Sequence, residues 1–196
     1  AHAGWYVGAG VGVSNFDENV ATDSKLAAAV ATLPPDDASY DIDDSDTAWK
    51  LFGGYQFNQY FALEGQYVDL GRIKGSVSGT YDGGEGAFAG SGKIDVTGFG
   101  VSAVASLPFL EHFALQGRVG VLRWIEEQKG TTFLVDGTDV CTTNSCEAKD
   151  KGIDVSYGLG LAWNITSHIT ARVDWENFDL GADSADVYTA NFIWGF

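Results

Sequence analysis

The sequence predicts an all-β fold: an eight-stranded antiparallel up-and-down β-barrel that spans a membrane, formed as a single domain by residues 1–196. Three observations support this. Apolar residues alternate with small or polar ones in successive segments, which is the period of a β-strand. The connections between these segments alternate between long and short. The face opposite the apolar residues is rich in glycine, which weakens a strand without making it soluble.

Glycine decides which face of the strands points inward. In residues 4–16, Gly8, Gly10 and Gly12 alternate with Val7, Ala9, Val11 and other apolar residues. A soluble barrel would bury its apolar face and turn charged residues to water. Glycine instead makes room inside a narrow tube. We therefore predict that the apolar, aromatic faces contact lipid and that the small or polar faces line the interior.

The predicted strands follow the alternation in chain order. The clearest hairpin lies within residues 52–71, where two alternating runs meet at the polar pair Asn58 and Gln59. The eight predicted strands are 4–16, 49–57, 60–72, 95–107, 113–125, 153–163, 169–176 and 186–196. Their even number is that of bacterial outer-membrane barrels.

The connections predict which end of the barrel is outside. Tight turns are expected at 58–59, 108–111 and 164–167, and longer connections at 17–48, 75–92 (rich in glycine), 126–152 and 179–185. Outer-membrane barrels have short periplasmic turns and long outer loops. The tight turns are therefore predicted to be periplasmic.

Composition excludes several classes of protein. No run approaches the roughly 18 to 20 continuous apolar residues of a membrane helix. The net charge is −16, with nine acids between residues 17 and 46 and seven between 126 and 154. Acids concentrated in loops argue against nucleic-acid binding and predict solvated loops or contacts with divalent cations. The sequence has no methionine and begins Ala-His-Ala, which suggests a signal peptide removed on export. We expect no cofactor and no metal site.

The two cysteines, Cys141 and Cys146, lie in a polar segment between the fifth and sixth predicted strands. Two cysteines cannot complete a zinc site. In an oxidising compartment they are expected to form a local disulfide, and two free surface thiols are the alternative.

The residues that follow the three tight turns superimpose, so equal distance from a turn predicts similar depth in the barrel. Inward positions then form two tiers, Glu64 with Gln116 and Arg172, and Gln66 with Arg118 and Asp174. Because unpaired charge is costly in a narrow interior, we expect Glu64 to pair with Arg172, directly or through Gln116, and to leave a plugged lumen. His112 and His168 occupy the position of Tyr60 beside the turns, which indicates interfacial anchors and no catalytic site.

Residues 52–64 (FGGYQFNQYFALE) and 169–175 (ITARVDW) resemble the transmembrane domain of OmpA and the related opacity-type surface proteins. The resemblance implies an interior glutamate, lysine, second glutamate and arginine that form a switchable salt-bridge plug. Glu64 and Arg172 match two of these positions. The lysine position is Val104 and the second glutamate position is Ala162, so the full plug is expected to be absent. We also expect no peptidoglycan-binding domain of the kind that OmpA carries.

The expected function is a structural or surface-interaction role in the outer membrane, such as envelope integrity or adhesion, with acidic outer loops as the contact region. Expected partners are outer-membrane lipids, lipopolysaccharide and surface or envelope proteins. A catalytic barrel would need a positioned histidine with a serine or aspartate nearby, and we predict no enzyme. The alternative is a narrow solute channel or a barrel that binds lipids or other hydrophobic ligands.

Overall fold

A computed structural model of the chain describes residues 4–16, 37–43, 45–81, 86–135, 138–139, 147–180 and 184–196. These residues form ten β-strands: β1 (Gly4–Phe16), β2 (Asp37–Asp43), β3 (Ser45–Gln56), β4 (Phe61–Tyr81), β5 (Gly86–Leu110), β6 (Phe113–Val135), β7 (Thr138–Asp139), β8 (Glu147–Asn164), β9 (Ile169–Asp179) and β10 (Ser184–Gly195). Within the described ranges there is no helix with the length and hydropathy needed to cross a membrane.

Eight of the strands close into an antiparallel barrel, which confirms the predicted fold class. Their order around the barrel is β4-β3-β1-β10-β9-β8-β6-β5, and pairing between β4 and β5 closes the ring. The two remaining strands extend this sheet beyond the ring, β2 beside β4 and β7 beside β6.

The tight turns lie together at one end of the barrel. They comprise residues 57–60, 111–112 and 165–168. In the first, Asn58 Oδ1 accepts hydrogen bonds from the backbone N–H groups of Tyr60 (2.8 Å) and Phe61 (3.0 Å). Because β5 continues to Leu110, the second turn is shorter than the predicted 108–111. By the rule for outer-membrane barrels this end is periplasmic.

The other end of the barrel is uneven in height. On one side β4 and β5 remain paired up to Tyr81 opposite Gly86, and β5 and β6 up to Phe88 opposite Val135. The predicted glycine-rich loop over 75–92 is therefore wrong. Strands that are already in register continue to gain backbone hydrogen bonds, and glycine weakens such pairing without preventing it. We call one part of the barrel the tall wall. It consists of β4 after Arg72, β5 before Asp95 and β6 after Glu126, together with β2.

The exterior of the barrel is apolar, as predicted. Lipid-facing side chains such as Trp5 (66% exposed), Val11 (64%) and Phe99 (62%) lie uncovered, whereas Lys50 and Glu64 are each only 1% exposed. This is the reverse of a soluble protein and is the arrangement expected of a chain whose solvent is lipid.

A β-bulge interrupts β4 between Asp69 and Arg72, where the register with β5 shifts. Gly71 within it has a φ of +84°, and a Cβ there would lie 2.8 Å from the Cβ of Asp46. Both the conformation and the space require glycine. The bulge marks the point where β4 passes from the barrel into the tall wall.

Candidate functional site in the barrel interior

Six ionisable side chains point into the barrel and form one cluster, which we call the charged network. Its members are Lys50 on β3, Glu64 on β4, Arg118 on β6, and Arg172, Asp174 and Glu176 on β9. Their side chains are between 0% and 3% exposed. Three cations face three anions, so the network has no net charge.

Arg172 lies on the periplasmic side of the network and binds two of its carboxylates. Its Nη1 and Nη2 lie 3.0 and 3.2 Å from Glu64 Oε2 and Oε1, and its Nε donates to Asp174 Oδ2 at 3.0 Å. Gln116 Oε1 accepts a further bond from Nη1 at 3.3 Å. The guanidinium also lies 4.6 Å from the ring centroid of Phe52. This forked geometry fixes the orientation of both carboxylates.

Lys50 binds two carboxylates on the opposite wall of the barrel. Its Nζ donates to Asp174 Oδ2 at 2.9 Å and also to Glu176. These residues are more than a hundred positions apart in sequence, so the pairs tie β3 to β9 across the interior. An unpaired ammonium at this depth would be costly, and the two carboxylates remove that cost.

Arg118 connects all three carboxylates. Its Nη1 lies 2.8 Å from Glu176 Oε1 and 3.1 Å from Glu64 Oε1, and its Nη2 lies 3.3 Å from Asp174 Oδ2. Each carboxylate therefore faces at least two cations. A network with shared partners resists the loss of any single contact better than isolated pairs do.

Neutral side chains add hydrogen bonds to carboxylate oxygens that already face a cation, while Asp174 Oδ1 has no hydrogen-bond partner among the described residues. The Tyr6 hydroxyl donates to Glu64 Oε2 at 3.0 Å, and Gln66 Nε2 donates to Glu176 Oε1 at 3.4 Å. Asn191 Nδ2 donates to Asp174 Oδ2 at 3.1 Å. These bonds bring β1, β4 and β10 into the same cluster.

The structure places all six sequence-predicted interior residues in or beside this cluster, but the two predicted tiers are not separate. Arg172 reaches Asp174 of the other tier, and Arg118 reaches Glu64. Gln66 bonds to Glu176 and not to its predicted tier partners.

The interior does contain a lysine and a second glutamate, although not at the two positions that the resemblance implied. Val104 (2% exposed) and Ala162 (3%) do lie buried and apolar at the positions inferred for those charges. Lys50 and Glu176 instead bring a lysine and a second glutamate into the network from other strands. The two-residue period of the strands could have placed both side chains in the interior, since Lys50 lies on the same face of its strand as Phe52.

A second group of buried side chains fills the interior on the outer side of the charged network. We call it the apolar layer: Phe16, Ala48, Val68, Leu70, Ile94, Val96, Leu122, Trp124, Phe178, Leu180, Ala185 and Val187. On β6 and β9 these residues follow Arg118 and Glu176 in the direction away from the tight turns. The sequence had suggested that small or polar residues line the whole interior. The apolar layer shows that they line only part of it.

The remaining predicted sites lie elsewhere. Cys141 and Cys146 fall outside the described residues, and their disulfide stays a prediction. His168 lies at a tight turn, where its ring centroid is 6.1 Å from that of Trp194, and His112 lies at the turn of residues 111–112. Neither belongs to the charged network. Across the described ranges, no three His, Cys, Asp or Glu side chains are grouped so that they could hold a metal ion.

The closed antiparallel barrel with its lipid-facing exterior defines a small outer-membrane β-barrel, located in the cell outer membrane. The model of the OmpA-like transmembrane domain matches residues 1–192. The chain belongs to that family.

Two curated relatives share this domain. The chain is 28% identical over 140 residues to outer membrane protein A of Klebsiella pneumoniae, which covers 70% of this chain and 35% of that protein. It is 27% identical over 127 residues to outer membrane protein A of Escherichia fergusonii, covering 64% and 31% respectively. The matched part is thus about a third of each relative's length.

Solved structures show the same fold. Ail, the attachment invasion locus protein of Yersinia pestis, in a complex with the heparin analogue sucrose octasulfate, matches with a TM-score of 0.57 and 12% identity over 100% of both chains. OprG of Pseudomonas aeruginosa matches with a TM-score of 0.55 and 17% identity, over 99% of this chain and 96% of OprG. At these identities the likeness concerns the fold alone.

Proposed function

We propose that this protein is a closed, non-enzymatic outer-membrane barrel with a structural or interactive role at the cell surface, such as envelope integrity or adhesion. One observation carries the proposal: two successive layers of buried side chains fill the interior. An eight-stranded barrel is just wide enough to be filled by side chains. The charged network closes the middle of the lumen and the apolar layer closes its outer half.

The apolar layer argues against the alternative of a narrow solute channel. Leu70, Leu122 and Phe178 are 0% exposed, so a hydrated solute would have to displace packed apolar side chains before it met the charges. The same packing argues against a cavity for a hydrophobic ligand. With the interior filled, the surfaces left for function are the lipid-facing exterior and the outer end.

The outer end supports a contact role. It carries the tall wall, and the acid-rich ranges 17–46 and 126–154 include the connections between strand ends on this side. Lipopolysaccharide, outer-membrane lipids and surface or envelope proteins are the partners that such an end would meet. Within the described residues the histidines lie at the tight turns. The hydroxyl of the adjacent Ser167 lies 2.9 Å from His168 Nδ1, but both side chains are exposed on the turn and form no pocket for a substrate, which favours a barrel without catalysis.

Solute flux into liposomes tests the proposal. Vesicles that contain the folded protein should swell no faster in a small sugar such as arabinose than vesicles without protein, while a general porin in the same lipid gives rapid swelling. The variant Leu122→Ala should remain closed, because the charged network still blocks the lumen. Rapid swelling with the unmodified protein would contradict the proposal and favour the channel.

The contact role is tested by binding. The protein in lipid nanodiscs should be screened against host matrix proteins, lipopolysaccharide and other envelope proteins, beside a variant in which residues 17–36 are replaced by a short Gly-Ser linker. Binding that this replacement abolishes would support the acidic loop as the contact region. Equal binding by both forms would place the contact elsewhere.

A further inference from the structure

Among the residues that the structure describes, the cations outside the barrel interior lie on one side. The sequence has 11 Lys and Arg residues, of which Lys50, Arg118 and Arg172 lie in the interior. Every other cation of the described residues lies on β4, β5, β6 or β8, and none lies on the exterior of β9, β10, β1 or β3. These cations are Arg72, Lys74, Lys93, Arg123, Lys129, Lys149 and Lys151. The exterior cations of the described residues therefore share one side of the barrel.

Two of these cations border directly on lipid-facing residues. Arg123 lies opposite Phe99 on β5 and Ile153 on β8, which are 62% and 68% exposed. Lys151 lies opposite Ile125. Arg123 and Lys151 are exposed diagonal neighbours on adjacent strands, a separation of roughly 7–8 Å that two long side chains can bridge. They therefore lie at the outer edge of the apolar band.

Two neighbouring cations, Arg72 and Lys149, already have a carboxylate partner. One residue row further out, Arg72 Nε lies 2.6 Å from Asp95 Oδ1, and Lys149 pairs with Glu127. Among the residues that the structure describes, neither Arg123 nor Lys151 takes part in an ion pair. Two unneutralised cations thus stand side by side where the apolar exterior ends.

Two lysines, which we call the lysine row, lie above them on the tall wall. Lys74 on β4 is directly opposite Lys93 on β5. Like charges in directly opposite positions destabilise a sheet. Anions bound along this face would offset that repulsion.

We propose that the outer face of β5, β6 and β8 binds the phosphate groups of a phosphorylated lipid of the outer leaflet. Arg123 and Lys151 contact a phosphate, since a guanidinium fork matches phosphate oxygens, and the lysine row faces the outer part of the headgroup. The acyl chains lie against the exposed Val101, Val121 and Val155 below. A lipid fits better than a free anion because the cations adjoin an apolar surface. This rests on the proposed function and deepens it, since it names a binding site for one of the lipid partners proposed there.

Lipid retention measures the site. The protein is placed in phosphatidylcholine nanodiscs that contain a small fraction of diphosphorylated lipid A, and native mass spectrometry compares the lipids that remain bound. A cation near an anionic headgroup contributes about 1 kcal/mol. The variant Arg123→Gln/Lys151→Gln should therefore retain about 30-fold less lipid A than the unmodified protein, the equivalent of about 2 kcal/mol at 1.4 kcal/mol per tenfold.

A control variant makes the same change in net charge on the opposite side of the barrel. Asn15→Asp/Thr47→Glu adds two negative charges at exposed positions of β1 and β3 and should retain lipid A as the unmodified protein does. Folding of each variant is checked by its heat-dependent mobility on a denaturing gel. Should the double variant not fold, Lys151→Gln alone carries the test, with an expected loss of about fivefold.

Three further outcomes would overturn the proposal. The first is retention by Arg123→Gln/Lys151→Gln equal to that of the control variant. The second is equal retention of dephosphorylated lipid A, which would assign binding to the acyl chains. The third is displacement of lipid A by excess inorganic phosphate, which would indicate a free-anion site. None of these results alters the liposome-swelling test, so failure of the lipid site and failure of the proposed function are distinguishable.

Discussion

Replacing Arg172 by alanine asks whether the charged network is a dry, cross-linked plug. The guanidinium makes two contacts with Glu64, at 3.0 and 3.2 Å, and one with Asp174, at 3.0 Å, and its side chain is 2% exposed. Its removal leaves the interior with one uncompensated negative charge. Breaking a buried ion pair in this way costs about 3–5 kcal/mol. Glu64 keeps Arg118 and the Tyr6 hydroxyl, so we expect a loss near the lower limit, about 3 kcal/mol.

The matched control is Arg72→Ala. Arg72 also pairs with a carboxylate, Asp95, but its side chain is 44% exposed, so water screens the pair and its loss should hardly change the free energy of unfolding. Urea unfolding of the protein in phospholipid vesicles, followed by tryptophan fluorescence, gives the free energy of unfolding of each variant. If Arg172→Ala is no more destabilising than Arg72→Ala, the interior charges are solvated and the plugged interior is refuted.

Three further predictions use the same unfolding assay or simple labelling. Leu122→Ala should cost about 2–5 kcal/mol because it opens a cavity in the apolar layer, whereas Leu115→Ala, on the lipid-facing side of the same strand, should cost far less because lipid fills the space; equal losses would contradict a packed interior. Lys50→Met should cost about 3 kcal/mol, since two buried carboxylates lose a shared cation; a loss below about 1 kcal/mol would show that Lys50 is not part of the network. Cys141 and Cys146 should react with a thiol reagent on intact cells only after reduction, and equal labelling without reductant would exclude the disulfide.

The exterior of the barrel was predictable because it depends only on the period of two. Lipid outside and a narrow interior require different residue types at successive positions of a strand. The glycines that alternate with Val7, Val11 and Phe99 therefore indicated that the apolar face points outward. The tight turns were predictable for a similar reason. Asn58 accepts bonds from the next N–H groups of its own turn, which is local chemistry that a short segment encodes.

The composition of the interior was only partly predictable. The depth of each inward side chain was inferred from its distance to a tight turn. This identified interior residues close to the turns but missed Lys50 and Glu176, which lie further along their strands. Their long side chains reach partners on other strands, and that reach cannot be read from strand alternation alone. The apolar layer was missed because buried Val68 and Leu122 follow small or polar inward residues on strands whose outward residues are also apolar.

The tall wall was missed because its parts of β4 and β5 are rich in glycine and serine. Glycine is depleted in strands, and composition alone predicts a loop. Pairing with neighbours that are already in register overrides that preference, as the continuous register from Lys74 opposite Lys93 to Tyr81 opposite Gly86 shows. Local sequence therefore underestimates strands that a barrel extends.

Single-channel recording in a planar lipid bilayer tests the closed interior most directly. If the charged network and the apolar layer fill the lumen, the reconstituted protein should give no steady ionic current above that of the bare bilayer, under conditions where a general porin conducts. A steady, porin-like conductance from the folded, unmodified barrel would show that a continuous water-filled path exists and would contradict the closed barrel.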